Sequence, residues 1–222
     1  MGLSHSPSLV MTGLVLALDA ANPKSYSGSG ATTWNDLSGR GNTGTLIAGP
    51  TYSSANNGIL TFNNVSTYAT VNSNASILSN TAYTKIAWFN TNNLAAANNI
   101  ISGGVSGQHA FWLNATNTLR AGHNGIWDTV VSSTTLSANT WYCGAVTFNT
   151  TTGWVLYLNG SVVDTDVSTT TFTGNGEILI CAFTLGGNLF SGSIATASVY
   201  NRALSAAEIR QNFNALRGRF GI

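Results

Sequence analysis

The chain has 222 residues, a formal net charge of +1 and only 7% charged residues, so it offers no extended basic field for a nucleic-acid backbone. Its hydrophobic content of 43% argues against a disordered chain. No apolar stretch approaches the roughly twenty residues of a membrane-spanning helix. These values exclude nucleic-acid binding and a membrane span, and they favour one large all-β domain with a neutral polar surface.

The first part of the chain is predicted to consist of an N-terminal arm, one strand and a long loop. Residues 1–12 form the arm and residues 13–19 the strand. We interpret the apolar run as a strand and not as a signal peptide, because no Lys or Arg precedes it and Asp19 interrupts its end. Residues 20–50 are rich in Gly, Asn, Asp and Ser, which favour tight turns over regular structure.

Strands are predicted through the middle of the chain. Short runs rich in aromatic and β-branched residues alternate there with glycine and asparagine, which is typical of a β-sandwich. The predicted strands are residues 58–62, 68–71 and 83–90, three short strands within 98–125, and residues 126–136.

The clearest local signal is a three-stranded meander in residues 141–165. Its first two strands, 141–148 and 154–158, are separated by a polar loop that ends at Gly153. Asn159-Gly160 then supplies the second turn, because Asn and Gly tolerate the positive φ angles of a type I′ turn. Cys143 lies in the meander and Cys181 in a later strand-like run, and both are expected to be buried free thiols.

A hairpin and then a helix are predicted in the last part of the sequence. Residues 177–183 and 191–200 are expected to pair across the turn 185–188. Ser205-Ala-Ala-Glu208 is a capping box, in which each side chain can satisfy a backbone amide of the first helical turn.

An apolar stripe follows the capping box. Ile209, Phe213 and Leu216 recur at spacings of four and three residues, and Gly218 can end the helix in a left-handed conformation. We therefore predict a β-sandwich of residues 13–203, with a helix and tail of residues 204–222 packed on it.

Three blocks of the sequence resemble the laminin G-like branch of the concanavalin A-like lectin/glucanase superfamily. They are GLVLALDAANPKSYSGSGATTWNDLSGRGNTGTL, LSANTWYCGAVTFNTTTGWVLYLNG and FSGSIATASVYNRALSAAEIRQNF. The resemblance implies an all-β, two-sheet antiparallel jelly-roll sandwich with one short C-terminal helix. The first and last blocks are also similar to domains often found in tailed-phage virion proteins. Because the superfamily includes lectins, hydrolases, receptor domains and assembly domains, the fold does not choose among functions.

A hydrolase needs two carboxyl groups that flank the glycosidic bond. The chain has two glutamates, Glu177 and Glu208, and the second belongs to the helix cap. The Glu-x-Asp-x-x-Glu strand of the family's glucanases is absent, and Asp164 and Asp166 are interpreted as solvated edge residues. We therefore predict a protein that is not an enzyme and requires no cofactor.

Calcium is the one metal that the sequence suggests. Asp19, Asn22 and Asp36 lie on the first loops and carry the oxygen ligands that Ca²⁺ prefers. The alternative is that they form turns. Many relatives carry acidic residues after the isoleucine of the last strand, where this chain has Ala195-Thr196-Ala197.

A glycan site is predicted at the turn that contains Asn124. Trp127 could stack on a sugar, and His123, Asn124 and Asp128 could bind its hydroxyl groups. The alternative is that Trp127 belongs to the core. Five other tryptophans are interpreted as core residues: Trp34, Trp88, Trp112, Trp141 and Trp154.

The C-terminal region suggests a docking surface. Arg210, Arg217 and Arg219 lie close to Phe220, and a basic patch with an aromatic tip would suit attachment to a larger particle. The alternative is the solvated face of a helix.

The first functional hypothesis is therefore a non-enzymatic decoration protein of a phage virion or similar surface assembly. Such a protein would be homo-oligomeric, would bind other virion proteins and would contact host glycans. It would be assembled in the host cytoplasm. The alternative is a carbohydrate-binding module of a secreted or cell-surface protein, and a glycoside hydrolase ranks third.

Overall fold

A computed structural model describes residues 7–71, 77–104 and 108–222. The strands in chain order are β1 (Leu14–Asp19), β2 (Thr33–Trp34), β3 (Gly44–Ile47), β4 (Thr51–Ser53), β5 (Ile59–Asn63), β6 (Tyr68–Val71), β7 (Ala82–Thr91), β8 (Asn98–Asn99), β9 (Ile101–Ser102), β10 (His109–Leu113), β11 (Thr118–His123), β12 (Ile126–Thr135), β13 (Tyr142–Asn149), β14 (Gly153–Leu158), β15 (Ser161–Asp166), β16 (Ile178–Ile180) and β17 (Ser191–Tyr200). The helix α1 spans Ala206–Leu216, and short 3-10 turns span Ala55–Asn57 and Arg217–Arg219.

The strands form two antiparallel layers. One layer is a large sheet with the strand order β15-β14-β13-β7-β17-β5-β4, in which β1 also pairs with β17. The other layer contains a five-stranded sheet, β2-β3-β6-β16-β9, and a four-stranded sheet, β12-β11-β10-β8. These two smaller sheets meet where Gly103 pairs with His109 and the amide of Ile100 donates to the carbonyl of Phe111 at 2.9 Å. The predicted antiparallel jelly-roll sandwich is thereby confirmed.

Alternation along the strands divides the apolar residues between two clusters. On β7, Ala87 and Phe89 face the core between the layers, whereas Ile86 and Trp88 face the outer side of the large sheet. Helix α1 covers this outer side with Ile209. The short C-terminal helix is therefore packed on the sandwich as predicted.

The helix begins as the sequence indicates but ends differently. The Ser205 hydroxyl accepts a hydrogen bond from the amide of Glu208 at 3.3 Å, and the Glu208 carboxylate accepts one from the amide of Ser205 at 2.9 Å. The predicted left-handed end at Gly218 is wrong, because the 3-10 turn follows the helix directly and the positive φ, 72°, falls at Gly221.

Two other expectations about local structure are also wrong. Residues 177–183 and 191–200 do not form a hairpin, because β16 pairs with β6 and β9 while β17 pairs with strands of the large sheet. The turn closed by Thr184 and Gly187 therefore carries the chain from one layer to the other. Residues 20–50 also contain regular structure, since β2 and β3 pair there.

The meander is confirmed. Asn159 and Gly160 have φ angles of 50° and 75°, and β14 and β15 pair on either side of them. The Asn159 side chain also accepts a hydrogen bond from the amide of Cys143 at 2.9 Å, which ties the turn to β13. Cys143 and Cys181 are both buried free thiols, and burial raises the pKa of each.

The first described residues and the C-terminal helix lie against the same face of the sandwich. The predicted arm is described from residue 7 onward, and residues 1–6 lie outside the described residues. The buried Asn212 of α1 accepts a hydrogen bond from the amide of Val10 at 2.8 Å, and Tyr200 donates to the carbonyl of Val10 at 3.0 Å. Within the described ranges, neither α1 nor the 3-10 turns have the length and apolarity needed to cross a bilayer.

Candidate functional site

His123 of the predicted glycan site lies in the core. Its Nδ1 is 3.1 Å from the Tyr83 hydroxyl and its Nε2 is 3.0 Å from the carbonyl oxygen of Thr170. Its ring packs edge to face against Phe148 and Trp154, each at 4.6 Å between centroids. Burial lowers the pKa of His123 to about 4. The prediction that His123 binds a sugar is therefore wrong, because both ring nitrogens already have partners inside the sandwich.

The side chain of Asn124 fixes a neighbouring segment. Asn124 and Gly125 have φ angles of 56° and 86° and form the tight turn between β11 and β12. The Asn124 amide nitrogen donates to the carbonyl of Thr171 at 2.8 Å, and its oxygen accepts from the amide and the hydroxyl of Thr173, both at 2.9 Å. These bonds use the oxygen and one of the two N–H groups of the side chain, so Asn124 keeps at most one donor for a hydroxyl group.

Asp128 is accessible but paired. Its carboxylate lies 3.2 Å from the guanidinium of Arg120, and 53% of its side chain is exposed. The same guanidinium lies 6.0 Å from the centre of the Trp112 ring. The pair leaves this edge of β11 and β12 locally neutral.

Trp127 stays at the surface, as the glycan hypothesis requires. It is half-buried, and its ring meets Phe183 edge to face at 5.0 Å between centroids. Its carbonyl accepts a hydrogen bond from the indole nitrogen of Trp112 at 2.8 Å. Trp127 and Phe183 together form a raised wall, which we call the ridge.

Two clefts lie on either side of the ridge and share it as a wall. The first cleft has a volume of about 250 Å³, and besides the ridge it is lined by Ala97, Asn99, Ala110, Trp112 and Asn188. The second cleft has a volume of about 330 Å³, and besides the ridge it is lined by Gly104, Gln108, Asn124 and Gly125. No charged side chain lines either cleft among the residues that the structure describes.

Sequence reasoning missed Trp112, Phe183 and the two polar residues Gln108 and Asn188. Trp112 was assigned to the core but is half-buried. The alternation in β10 could have revealed this, because Phe111 and Leu113 point into the core and place Trp112 on the opposite face. Phe183 follows a buried strand, and its sequence carries no signal that it meets Trp127.

Some of the side-chain amides that face the clefts already have hydrogen-bond partners, and others have none among the described residues. The amide of Asn99 is occupied, since its nitrogen donates to the carbonyl of Asn188 at 2.9 Å and its oxygen accepts from Ser102 at 2.9 Å. By contrast, the side-chain amides of Gln108 and Asn188 have no hydrogen-bond partner within residues 7–71, 77–104 and 108–222. Among the described residues, each cleft therefore offers one side-chain amide without a hydrogen-bond partner, which we call a free amide, beside an aromatic wall.

The predicted calcium ligands are used in other bonds. The Asp19 carboxylate lies 2.8 Å from the guanidinium of Arg219. The two oxygens of Asp36 accept hydrogen bonds from the amides of Ala17 and Asn42, at 2.9 and 3.0 Å. The amide oxygen of Asn22 accepts from the backbone of Lys24 at 3.0 Å. These side chains do not fit a calcium site, because they act as turn and backbone acceptors and a guanidinium already neutralises one of them.

The predicted docking surface is split. Phe220 is buried and stacks on Trp88 at 4.1 Å between ring centroids, so it is not an exposed tip. The side chain of Arg219 is 8% exposed, pairs with Asp19 and donates to the carbonyls of Asn56 and Gly58. Arg210 and Arg217 remain exposed. The proposed basic and aromatic patch thus keeps two of its four members.

A larger cavity lies at the chain ends but has no features of a glycan site. Its volume is about 990 Å³, and its walls include Pro7, Asn214, Arg217 and Ile222. None of its described wall residues is aromatic, and its buried cation Arg219 is already paired with Asp19. The ridge and its two clefts are therefore the better candidate.

Glu208 cannot supply the acid of a hydrolytic pair. Its carboxylate oxygens lie 2.6 and 2.9 Å from the guanidinium nitrogens of Arg202. The hydrogen bonds from Arg202 lower the pKa of Glu208 to about 2. Since an acid catalyst needs a raised pKa, this leaves Glu177 without a glutamate partner.

Comparison with known proteins gives a family match. A family model described as "Concanavalin A-like lectin/glucanases superfamily" matches residues 63–210. No curated protein sequence gives a significant match.

Solved structures are similar in fold at low sequence identity. Trypanosoma rangeli sialidase in complex with sialic acid is 16% identical with a TM-score of 0.68, and the match covers 97% of this chain and 36% of that chain. The chain thus spans only about a third of the sialidase.

Two further similar structures are single domains or parts of larger proteins. Domain 4 of AbnA, an extracellular arabinanase from Geobacillus stearothermophilus in complex with arabinotriose, is 16% identical with a TM-score of 0.68, covering 90% of this chain and 97% of that chain. The binding domain of Paraclostridial Mosquitocidal Protein 1 is 18% identical with a TM-score of 0.71, covering 92% and 52%. At these identities the likenesses establish the fold.

Proposed function

Because the chain belongs to the concanavalin A-like lectin/glucanase superfamily, we propose that it is a carbohydrate-binding domain that holds its ligand against Trp127. The observation that carries this proposal is the position of the Trp127 ring at the surface, between two clefts that each contain a free amide. Sugar rings have apolar faces and polar edges. An aromatic wall beside a few polar groups provides for both.

One of the similar structures supports this proposal through the carbohydrate that it contains. Domain 4 of the arabinanase was solved with arabinotriose, and this chain spans 97% of that domain. The likeness concerns the fold, so the ligand of that domain is a guide to a class of molecule and not to an identity.

Assembly on a larger surface is the second candidate function. Its support is now the exposure of Arg210 and Arg217, since Arg219 and Phe220 make contacts inside the chain. A place in a virion, on a cell surface or in an oligomer remains a prediction. Glycan binding is compatible with each of these settings.

We further propose that binding occurs without cleavage. The support is the fixed negative charge of Glu208, which is bound by Arg202 on both oxygens. Release of reducing sugar from any glycan that the domain binds would contradict this part of the proposal.

A glycan array tests the function directly. The wild-type chain is expected to bind at least one class of glycan. Trp127→Ala is expected to reduce that binding by about fivefold or more, taking the roughly 1–3 kcal/mol of a base stacked on an aromatic ring as the guide for a stacked sugar. Val65→Ala serves as the matched control, because Val65 is 78% exposed and lines neither cleft. A blank array, or equal binding by the Trp127→Ala protein, would overturn the proposal.

A further inference from the structure

The two clefts are parts of one continuous surface. Trp127 and Phe183 line both of them, so a ligand that crosses the ridge contacts the same two rings from either side. A single sugar unit can occupy only one side at a time. The shared wall therefore favours a ligand with a unit on each side.

Hydrogen bonds hold the backbone of the two residues that carry the free amides, one residue in each cleft. In the second cleft, the backbone N–H of Gln108 donates to the backbone carbonyl of Gly104 at 2.7 Å, and the backbone carbonyl of Gln108 accepts from the backbone N–H of Asn124 at 2.8 Å. In the first cleft, the carbonyl of Asn188 accepts from Asn99 at 2.9 Å. Because these backbone positions are fixed, binding by the two side chains costs little ordering of the chain.

Charge restricts the class of ligand. The cleft walls contain no charged side chain among the residues described, and the adjacent Arg120 and Asp128 neutralise each other at 3.2 Å. An anionic sugar that entered either cleft would lose hydration without gaining a cation. A neutral sugar loses only hydrogen bonds that amide groups can replace.

We infer that the ligand is a neutral oligosaccharide of at least two sugar units that crosses the Trp127–Phe183 ridge and is bound by Asn188 on one side and Gln108 on the other. This inference rests on the proposed carbohydrate-binding function and adds the charge and minimum length of the ligand. It also assigns a binding role to two residues with no aromatic or charged signal in the sequence.

The test uses an array that carries neutral and acidic glycans from monosaccharides to hexasaccharides. Calorimetry with arabinose and arabinotriose compares the affinity for one neutral monosaccharide with that for its trisaccharide in solution. For the bound class, the disaccharide or trisaccharide is expected to bind at least tenfold more tightly than its monosaccharide. Sialylated and uronic-acid glycans are expected to give no signal above background.

Glycine variants test the two side-chain amides without disturbing the backbone that carries them. Gln108 and Asn188 have φ angles of 50° and 48°, so Gln108→Gly and Asn188→Gly remove the side chain without straining the chain. Each variant is expected to lower the affinity for the oligosaccharide by about threefold to tenfold. Asn139→Gly is the matched control, because Asn139 has a φ of 57°, is exposed and lines neither cleft.

The outcomes distinguish this inference from the proposed function. Monosaccharide binding as tight as oligosaccharide binding, or a preference for acidic glycans, overturns the inference while carbohydrate binding stands. A Trp127-dependent signal that neither glycine variant changes also overturns it. A blank array overturns both. Thermal unfolding of each variant identifies a loss of fold, in which case Gln108→Asn and Asn188→Asp replace the glycine variants.

Discussion

The ring of Trp127 meets the ring of Phe183 edge to face, with their centroids 5.0 Å apart and their planes at 76°. Trp127 belongs to β12 of the four-stranded sheet, whereas Phe183 follows β16 of the five-stranded sheet. The ridge therefore joins the two sheets of one layer at their outer surface. Its shape depends on how these sheets are positioned relative to each other.

Removal of the Phe183 ring is expected to weaken glycan binding even if the ligand touches only Trp127. An edge-to-face aromatic pair contributes about 0.5–1.5 kcal/mol, so Phe183→Ala should lower affinity by roughly threefold to tenfold through a less fixed Trp127. Calorimetry with the best array ligand measures this. Leu185→Ala is the control, since Leu185 is 67% exposed on the same loop and lines neither cleft. Equal losses in both variants would count against the ridge.

The Phe220 ring is expected to stabilise the fold. It stacks on Trp88 at 4.1 Å and contacts Trp141 at 4.8 Å between centroids. Phe220→Ala should lower the free energy of unfolding by about 3 kcal/mol, as for other buried phenylalanines. Urea denaturation measures the change. Ile222→Ala is the comparison, because Ile222 is 42% exposed and should cost under about 0.5 kcal/mol. An unchanged stability for Phe220→Ala would restore the docking interpretation.

Arg219 is expected to be a structural cation. Its guanidinium lies 2.8 Å from the Asp19 carboxylate and also binds the carbonyls of Asn56 and Gly58. Arg219→Ala would leave the partly exposed Asp19 without its cation, and a loss of about 1.5–3 kcal/mol in the free energy of unfolding is expected. The exposed Arg217 provides the control, with Arg217→Ala near wild type. Denaturation curves of similar midpoint for both variants would show that the pair contributes nothing.

Acid should destabilise the protein through its buried histidines. Burial lowers the pKa of His123 to about 4 and that of His109 well below 6.5, and Lys85, 2.7 Å from His109 Nδ1, lowers both further. Since the unfolded chain binds more protons below pH 6.5, the free energy of unfolding falls as the pH drops from 6.5 towards 4, by at most about 1.4 kcal/mol per pH unit for each histidine.

Thermal unfolding across this pH range checks the acid effect. His123→Gln removes one titrating group and is expected to flatten the dependence, while its stability at pH 7 is measured separately. A melting temperature that stays constant between pH 6.5 and 4 would contradict the role of the histidines. Glu208 has its pKa lowered to about 2, so its contribution is lost only below pH 4.5.

Calcium is expected to leave the melting temperature unchanged. Asp19 is paired with Arg219, and the oxygens of Asp36 accept backbone hydrogen bonds, so a calcium ion would have to displace existing partners. A bound ion at a hundred times its dissociation constant would stabilise the fold by about 2.7 kcal/mol. Melting curves with millimolar CaCl₂ and with chelator make the comparison. A rise that saturates with calcium and disappears in Asp36→Asn would establish a site.

Local signals in the sequence predicted the fold better than they predicted the site. The Asn159-Gly160 turn and the Ser205–Glu208 capping box depend on neighbouring residues, and both were recognised. The pairing of β16 could not be recognised, because its partners β6 and β9 lie far away in the chain. A turn between two strand-like runs does not reveal that they belong to different layers.

Site residues were misassigned where function depends on distant partners. His123 looked accessible beside a turn, yet Tyr83 and Thr170 hold it inside the sandwich. Phe220 looked like an exposed tip, yet Trp88 covers it. Trp127, for which the sequence offered a stacking role or a place in the core, is half-buried at the surface, and its role in binding stays a prediction. Residue type thus pointed to Trp127, whereas the residues that surround it, such as Phe183, come from distant parts of the chain and could not be predicted.

The position of β17 in the large sheet has a consequence for folding kinetics. One edge of β17 pairs with β7, and its other edge pairs with β5 and then with β1. During synthesis these earlier strands leave the ribosome without the strand that joins them. The large sheet can close only when residues 191–200 have emerged. We therefore expect the large sheet to form slowly, with exposed strand edges before that moment.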